Sequence, residues 1–510
     1  MRTTRRLWER AGLAAAVAGS FASVSPVAAA PATFGTQGIA SAPVAEAPPP
    51  TAQSDLPSAT SAAPDPAAAA AQRASQAHRS FQLAQTSPAA ASTAAPSASG
   101  AGDTFKLGGF YQGTFAYTYS DPVHWSRMVQ RFQATAEGSL GERVKYKLGG
   151  RVDIDPLYYE SNFYLDDVKK NQRFSAIWGE NYLDFEAGGW DFRLGAQHII
   201  WGEVVGLFFA DVVSARDTRD FLLPSFDIIR IPQWAARAEY FKGDSHIEFI
   251  WIPVPTFDRI GKPGADFYPV PLPSPTPQSV ASLFNNPDRP DRNLSTSNYG
   301  VRANTLVGGW DLAGFFYRSY NAQPTFYRLP TANIAQPFVY QPLYDRISQT
   351  GATLTKDFDS FVLRGEAVYT YGQNFASLDP SAPQGVVRRN TLDYIASVDV
   401  PLDAINGRVN VQAFQRLYFG GSADAVALDS GTWGASVLVA GKVTPTIEPQ
   451  ILWIQTFGGG GSLVRPRVNW YPVKNASIAV GVDIFTGPSD GLFGRYNNRD
   501  RVYTEIRYDF

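Results

Sequence analysis

Four histidines and no cysteine occur among 510 residues, so the choice of reactive side chains is narrow from the start. Without cysteine there is no disulfide framework and no thiolate-held zinc or iron–sulfur centre. His246 and Glu248 alternate on one face of an extended segment and could ligate a metal, but two donors do not make a site. Asp288, Asp291 and Asn293 offer oxygens suited to calcium, at a spacing that matches no EF-hand loop. Gly458 to Gly461 read as a flexible tight loop rather than a phosphate cradle. No Walker loop, nucleophile elbow or His-Glu-x-x-His is present. A hydrolase would need a Ser or Asp acting with His124, His198 or His246, and the spacing nominates none. No enzymatic activity, no cofactor and no metal site is therefore expected.

The charges point to a different chemistry. Residues 201–233 combine Val204, Val205, Leu207, Phe208, Phe209, Phe221, Leu222 and Leu223 with Glu203, Asp211, Arg216, Asp217, Arg219, Asp220 and Arg230. That mixture is too apolar for a solvated loop and too charged for a core. It suits a loop packed on an inner wall, with its charges paired or facing a passage. These seven charged residues are the candidates for a pore constriction. Elsewhere charges recur at every second position. Lys145, Lys147, Arg151 and Asp153 share a face opposite Val144, Tyr146, Leu148, Val152 and Ile154. Arg237 with Glu239, Arg364 with Glu366, and Arg507 repeat the pattern, and all are candidate lumen-lining residues. Basic and acidic members nearly balance, whereas strongly selective channels use rings of one sign.

Elements with a period of two must position these residues. About eighteen candidate strands run from 104 to 510, among them 105–119, 131–140, 143–155, 234–240, 299–307, 392–400, 478–484 and 501–510. Short turn signals, such as Gly188-Gly189, Lys242-Gly243-Asp244 and Gly308-Gly309, alternate with long loops near 155–173, 200–233, 253–297 and 321–342. One apolar face, one charged face and a long–short order predict an all-β fold, a transmembrane antiparallel β-barrel whose backbone groups are satisfied by closure. Pro449 and Pro466 fall inside candidate strands, where a missing N–H favours a bulge or a rim. Tyr117, Tyr119, Tyr369, Tyr371, Trp453, Trp470 and Tyr471 are placed as interfacial aromatics. On the last strand Val502, Thr504, Ile506, Tyr508 and Phe510 face one way. Tyr508 and the terminal Phe510 resemble the membrane-insertion signal of bacterial outer-membrane proteins.

Upstream the composition changes. Arg2, Arg5, Arg6 and Arg10 precede an apolar run from 11 to 24 and a Val27-Ala28-Ala29 step, the order of a signal peptide over 1–29. Residues 30–103 are dominated by Ala, Pro and Ser and predict a disordered periplasmic tether. A net charge of −2 gives no basis for nucleic-acid binding.

Trp201-Gly202-Glu203, Asp211-Val212-Val213, Arg216-Asp217, Arg230-Ile231-Pro232 and Trp251-Ile252-Pro253 resemble an uncharacterised proteobacterial family of outer-membrane barrels, still described as a domain of unknown function. Ser214-Ala215 stands where that family typically carries Asn-Pro. The resemblance covers roughly Phe105 to Phe510 and implies a porin-like envelope barrel without naming a substrate. A looser similarity to polysaccharide-export barrels rests on the charged lumen strands and the Trp-Gly turn. The leading expectation is a channel for a small or moderately sized solute, narrowed by 201–233. The alternatives are a structural or assembly role, a component of an export system and, last, a hydrolase. Expected partners are outer-membrane lipids, the barrel-assembly machinery, the solute, and two further copies in a homotrimer.

Overall fold

In the computed structural model the described residues are 105–510, apart from 205, 207–209, 378, 422–425 and 427–432. The signal peptide and tether expected at 1–29 and 30–103 lie outside them.

Eighteen antiparallel strands follow one another around a closed sheet. They are β1 Lys106–Thr118, β2 His124–Leu140, β3 Val144–Ile154, β4 in two segments Phe174–Trp178 and Asn181–Ala187, β5 Trp190–Gln197, β6 Gln233–Lys242, β7 Ser245–Ile252, β8 Asn298–Val307 and β9 Trp310–Tyr320. The circuit continues with β10 Arg346–Asp357, β11 Val362–Ala376, β12 Val386–Leu402, β13 Gly407–Phe419, β14 Trp433–Ala440, β15 Ile447–Thr456, β16 Gly461–Val473, β17 Ala476–Thr486 and β18 Arg501–Asp509. Each strand pairs with its sequence neighbours, and β18 closes on β1 from Arg501↔Thr118 to Asp509↔Phe110. The seam ends with Phe510 and Gly109 exchanging two backbone hydrogen bonds of 3.0 Å. A Cβ on Gly109 would stand 2.8 Å from the Phe510 ring, so only glycine lets that ring lie over the seam. Phe510 then stacks on Phe132, with ring centroids 5.6 Å apart.

The two segments of β4 both pair with β3, and the register slips by one residue between them. The Asn181 side chain takes over there, accepting from the Gly149 N–H at 3.2 Å and donating to the Gly149 carbonyl at 2.7 Å. Gly179 N–H also donates to the Gly149 carbonyl at 3.0 Å, so backbone groups at the slip keep partners, as a dry surround requires.

Connections on one rim are tight, from Gly188-Gly189 to Lys474-Asn475; those on the other are long, and include 155–173, 198–232, 253–297 and 321–345. Strand β2 begins at His124, so the connection from β1 is the short stretch 119–123. Cis-Pro122 marks that bend. Pro466 sits where β16 loses its pairing to β17, between Val464 and Arg467. Pro449 lies near the short-turn end of β15.

Period two sorts the faces. Outward go Phe132, Leu148, Val152, Trp234, Phe249, Trp251, Val411, Val480, Ile506 and Tyr508, all exposed. In water, each Å² of such surface costs about 25 cal/mol, and a row this continuous needs an apolar surround. Trp470 is outward and half exposed, whereas Tyr471 points inward and donates to Glu448 Oε2 at 3.2 Å. The expectation that both serve as interfacial aromatics fails for Tyr471, because adjacent strand residues cannot share a face.

Candidate functional site

Inside the barrel the wall is made of charges on alternate residues, and most find a partner within the wall. Arg131 and Asp153 make a two-pronged contact at 2.9 and 3.1 Å. Arg193 does the same with Asp184 at 2.6 and 2.8 Å. Lys147 lies between Glu137 at 2.9 Å and Glu180 at 3.0 Å. Arg237 meets Glu239 at 2.5 Å, and Arg364 meets Asp399. Asp483, with no exposed surface, is shared by Arg465 at 2.7 Å and Arg501 at 2.9 Å. Arg507 bonds Asp509 at 2.8 Å and lies over the Phe110 ring at 3.8 Å. Lys145 stays exposed near the short-turn rim. Planar guanidiniums opposite carboxylates satisfy both charges where solvent is scarce, and they stiffen the wall.

Loop 198–232 leaves β5, enters the lumen and ties itself to strands on both sides. Its first anchor is Trp201, 1% exposed, whose indole N–H donates to Glu248 Oε1 at 2.7 Å. The ring packs with Ile199, Val213, Ile250, Phe315, Tyr317 and Val368. Gly300 makes room for it, since a Cβ there would be 2.8 Å from the indole. The second anchor is Glu366 on β11. Its carboxylate accepts backbone N–H groups from Glu203, from Val204 at 2.6 Å and from Ala210 at 2.8 Å. One side chain thus satisfies three amides of a chain that has no ladder of its own. Glu203 also meets Arg302 on β8 at 3.0 Å.

Further on the loop reaches the far wall. Asp220 meets Arg501 at 2.9 Å, and Arg465 donates to the Leu223 carbonyl at 2.9 Å. Arg151 donates to the Ile228 carbonyl at 2.9 Å, and Asp227 lies 3.7 Å from Arg507. Leu223 and Phe221 join Phe267, Ile454, Leu463, Phe485, Phe493 and Tyr496 in an apolar cluster. Within the loop, Asp211 binds Arg230 at 2.8 Å, Arg216 donates to the Asp211 carbonyl at 2.7 Å, and Asp217 binds Arg219 at 2.6 Å. Burial works against the Asp217 carboxylate, yet Arg219 and Arg259 outweigh it and hold its pKa well below the usual range. All seven constriction candidates therefore sit in ionic or backbone contacts on the loop or between loop and wall. Of the apolar residues expected to anchor this loop, Val205, Leu207, Phe208 and Phe209 lie outside the described residues.

Loop 253–297, one of the long connections expected from the sequence, folds partly back into the barrel. Phe257, Ala265, Phe267 and Tyr268 are buried in the mouth. Thr218 N–H donates to the Arg259 carbonyl at 2.9 Å, so the two long loops are sewn together. Asp266 gathers His124 at 3.1 Å, the Tyr164 hydroxyl at 2.8 Å and Arg499 at 3.3 Å. Between these loops and β4 lies a cavity of about 430 Å³ whose lining includes Arg219, Arg259, Lys262, Arg289 and Asp258. Burial pushes the Asp258 carboxyl up to about 6 against the pull of Arg216, whose N–H it accepts at 2.8 Å. The cavity lining thus gathers four cations, of which Arg219 is paired with Asp217, and one easily protonated acid. Of that group the sequence reading singled out only Arg219. The others lie in stretches with no periodicity, and only the fold brings them together.

The remaining sequence candidates are explained locally. His246 stacks on Phe241 at 5.1 Å, and Glu248 serves Trp201. Asn293 caps the turn 294–296 through the Thr296 N–H. His198 is buried, which lowers its pKa and keeps the ring neutral near pH 7, despite Glu180.

No family model matches this chain, including any for the uncharacterised family that its Trp-Gly and Arg-Ile-Pro elements resemble, and no curated protein is similar to it. Among solved structures it is similar to OccAB4 of Acinetobacter baumannii (TM-score 0.48, 8% identity, 80% of this chain and 98% of that one). It is also similar to OccK9 (OpdG) of Pseudomonas aeruginosa (TM-score 0.45, 9% identity, 80% and 97%). A third is OmpF of Salmonella typhi in complex with daunomycin (TM-score 0.41, 10% identity, 80% and 98%).

Proposed function

We propose that this barrel spans a bacterial outer membrane and lets small or moderately sized solutes pass, with loop 198–232 narrowing the passage. One observation carries the reading: the same strands present an apolar belt outward and a wall of paired charges inward. Hydrocarbon suits the first face and water the second. A cylinder of eighteen strands is wide enough to hold an aqueous channel. The cation-rich mouth favours anionic solutes at the entrance, because field lines concentrate in a cleft of one sign. Tyr508 and Phe510, outward on the closing strand, fit the role of an insertion signal for the assembly machinery.

Liposome swelling with sugars, organic acids and hydrophobic compounds tests the reading. Entry of at least one class is expected, organic acids foremost. A sealed barrel that assembles normally would instead support the structural role. Deletion of 205–225 is expected to raise single-channel conductance, and unchanged conductance and solute range would remove the narrowing role of the loop.

A further inference from the structure

The lipid-facing side of the strands carries few charges: Lys242 and Lys356 at the short-turn rim, and a cluster of arginines at the other. Among the described strand positions that face outward, arginine occurs at 318, 346 and 388, on β9, β10 and β12. Alternation fixes their direction. Ala313, Phe315, Tyr317 and Ser319 are buried on the inner face of β9, so Arg318 points out between Phe316 and Tyr320. On β10 Ile347 is buried, which sends Arg346 and Ser348 outward. On β12 Thr391 and Asp393 are inward, and Arg388 lies exposed over the outward Tyr371 ring at 5.7 Å. All three sit at the long-loop ends of their strands. Register places Arg346 opposite Tyr320, and Arg388 opposite Asn374, at closely similar heights. Strands β9 to β12 are consecutive, so the patch spans about 14 Å at ~4.8 Å per strand.

These guanidiniums are poorly engaged by the protein. Arg318 donates to Ser348 Oγ at 2.7 Å. Arg346 reaches only the Thr296 carbonyl at 3.5 Å and lies over the Tyr320 ring at 4.9 Å. No carboxylate lies within salt-bridge distance of any of the three among the described residues, unlike the inward arginines. Tyr299, Tyr320, Tyr369 and Tyr371 surround them on the outer face. A cluster of like charges beside hydrocarbon is costly unless an anion joins it. The long loops of such barrels lie on the cell-surface side, where headgroups of the outer leaflet meet the aromatic belt.

We propose that Arg318, Arg346 and Arg388 form a binding site for the phosphate groups of an outer-leaflet lipid, held against the outer wall of β9 to β12. Guanidinium forks fit phosphate oxygens in pairs, and the tyrosine rings cover the first part of the acyl or sugar portion. The site rests on the reading of the barrel as membrane-spanning, and it takes no part in the passage itself.

The full chain, reconstituted in nanodiscs of phosphatidylethanolamine doped with bisphosphorylated lipid A, is compared with discs doped with dephosphorylated lipid A. Bound lipid is counted by native mass spectrometry, and conductance is recorded on the same preparations. Retention of the bisphosphorylated lipid is expected for the wild type, with roughly ten-fold weaker retention for each of R318Q, R346Q and R388Q, since each removes one charge-assisted contact. K356Q, at the opposite rim, is expected to change nothing. Equal retention of the dephosphorylated lipid, full competition by free inorganic phosphate at equal concentration, or wild-type retention in the triple variant would each overturn the proposal. Should the triple variant fail to assemble, R388Q decides alone, because that side chain is exposed. Lost retention contrasts with intact conductance in a way that keeps this site separate from the channel reading.

Discussion

At the level of single residues, Glu366 holds more of the interior together than any neighbour. Its two oxygens accept three loop amides, Oε1 from Glu203 and Val204 and Oε2 from Ala210. Glu366→Ala should leave those amides without partners in a confined space, at about 1–3 kcal/mol each before water enters. The expected outcome is a correctly assembled barrel with a noisier and larger conductance, read in planar bilayers; a recording indistinguishable from wild type would show that the loop is held by other contacts. Asp258 gives a pH prediction. Its folded-state pKa of about 6 lies above its ordinary value, so the folded protein holds this proton more tightly than the unfolded chain. Its contribution to stability is present at low pH and is lost as pH rises from near 4 through about 6. The same titration changes the mouth: protonation below 6 removes a negative charge from a lining with four basic side chains, of which only Arg219 has its own carboxylate partner, Asp217, among the described residues. Anion preference, measured as the reversal potential in a salt gradient, should therefore increase between pH 7 and pH 5. Asp258→Asn should fix the preference at its low-pH value and flatten that dependence.

At the level of elements, the strands were legible and their partners were not. Period-two alternation locates β3 and β18 to within a residue, because one face meets hydrocarbon and the other meets charge. Alternation says nothing of the slip at Gly179-Glu180 that divides β4, since that depends on an Asn181 side chain replacing a ladder bond. The mixed composition of 198–232 marks it as inward-packed, but not where it is fastened. Glu203 and Glu366 are separated by 163 positions, a contact that no local pattern encodes. The cationic mouth escaped notice for the same reason. Trp201 offers an element-scale test. Trp201→Ala removes a fully enclosed ring and the partner of Glu248, a change that costs about 3–5 kcal/mol in a well-packed site. The cost should fall on the loop, with protease cleavage in 198–232 appearing at temperatures where the barrel itself is intact.

At the level of the whole molecule, closure removes the edges of the barrel sheet, and the seam between β1 and β18 is where it is achieved. Deletion of Phe510 takes away two backbone hydrogen bonds, a stacked ring and the cover over Gly109. Assembly into liposomes should slow markedly, measured as the protease-resistant fraction over time, while any chains that do close should conduct normally. Unaltered assembly kinetics would mean that the seam closes without help from its last residue. In plain buffer the protein should aggregate, because among the described residues no second layer covers the outward row of Phe, Leu, Val and Trp.

The inner loop has a mechanical corollary. Its bonds to Glu366 and Arg302 on one flank, and to Arg465 and Arg501 on the other, make it a cross-brace between opposite arcs of the cylinder. Squeezing the cylinder into an oval would have to stretch one set of these ties. The girth should hold constant when the surrounding bilayer is stretched or thinned, and the protein should be deaf to lateral tension.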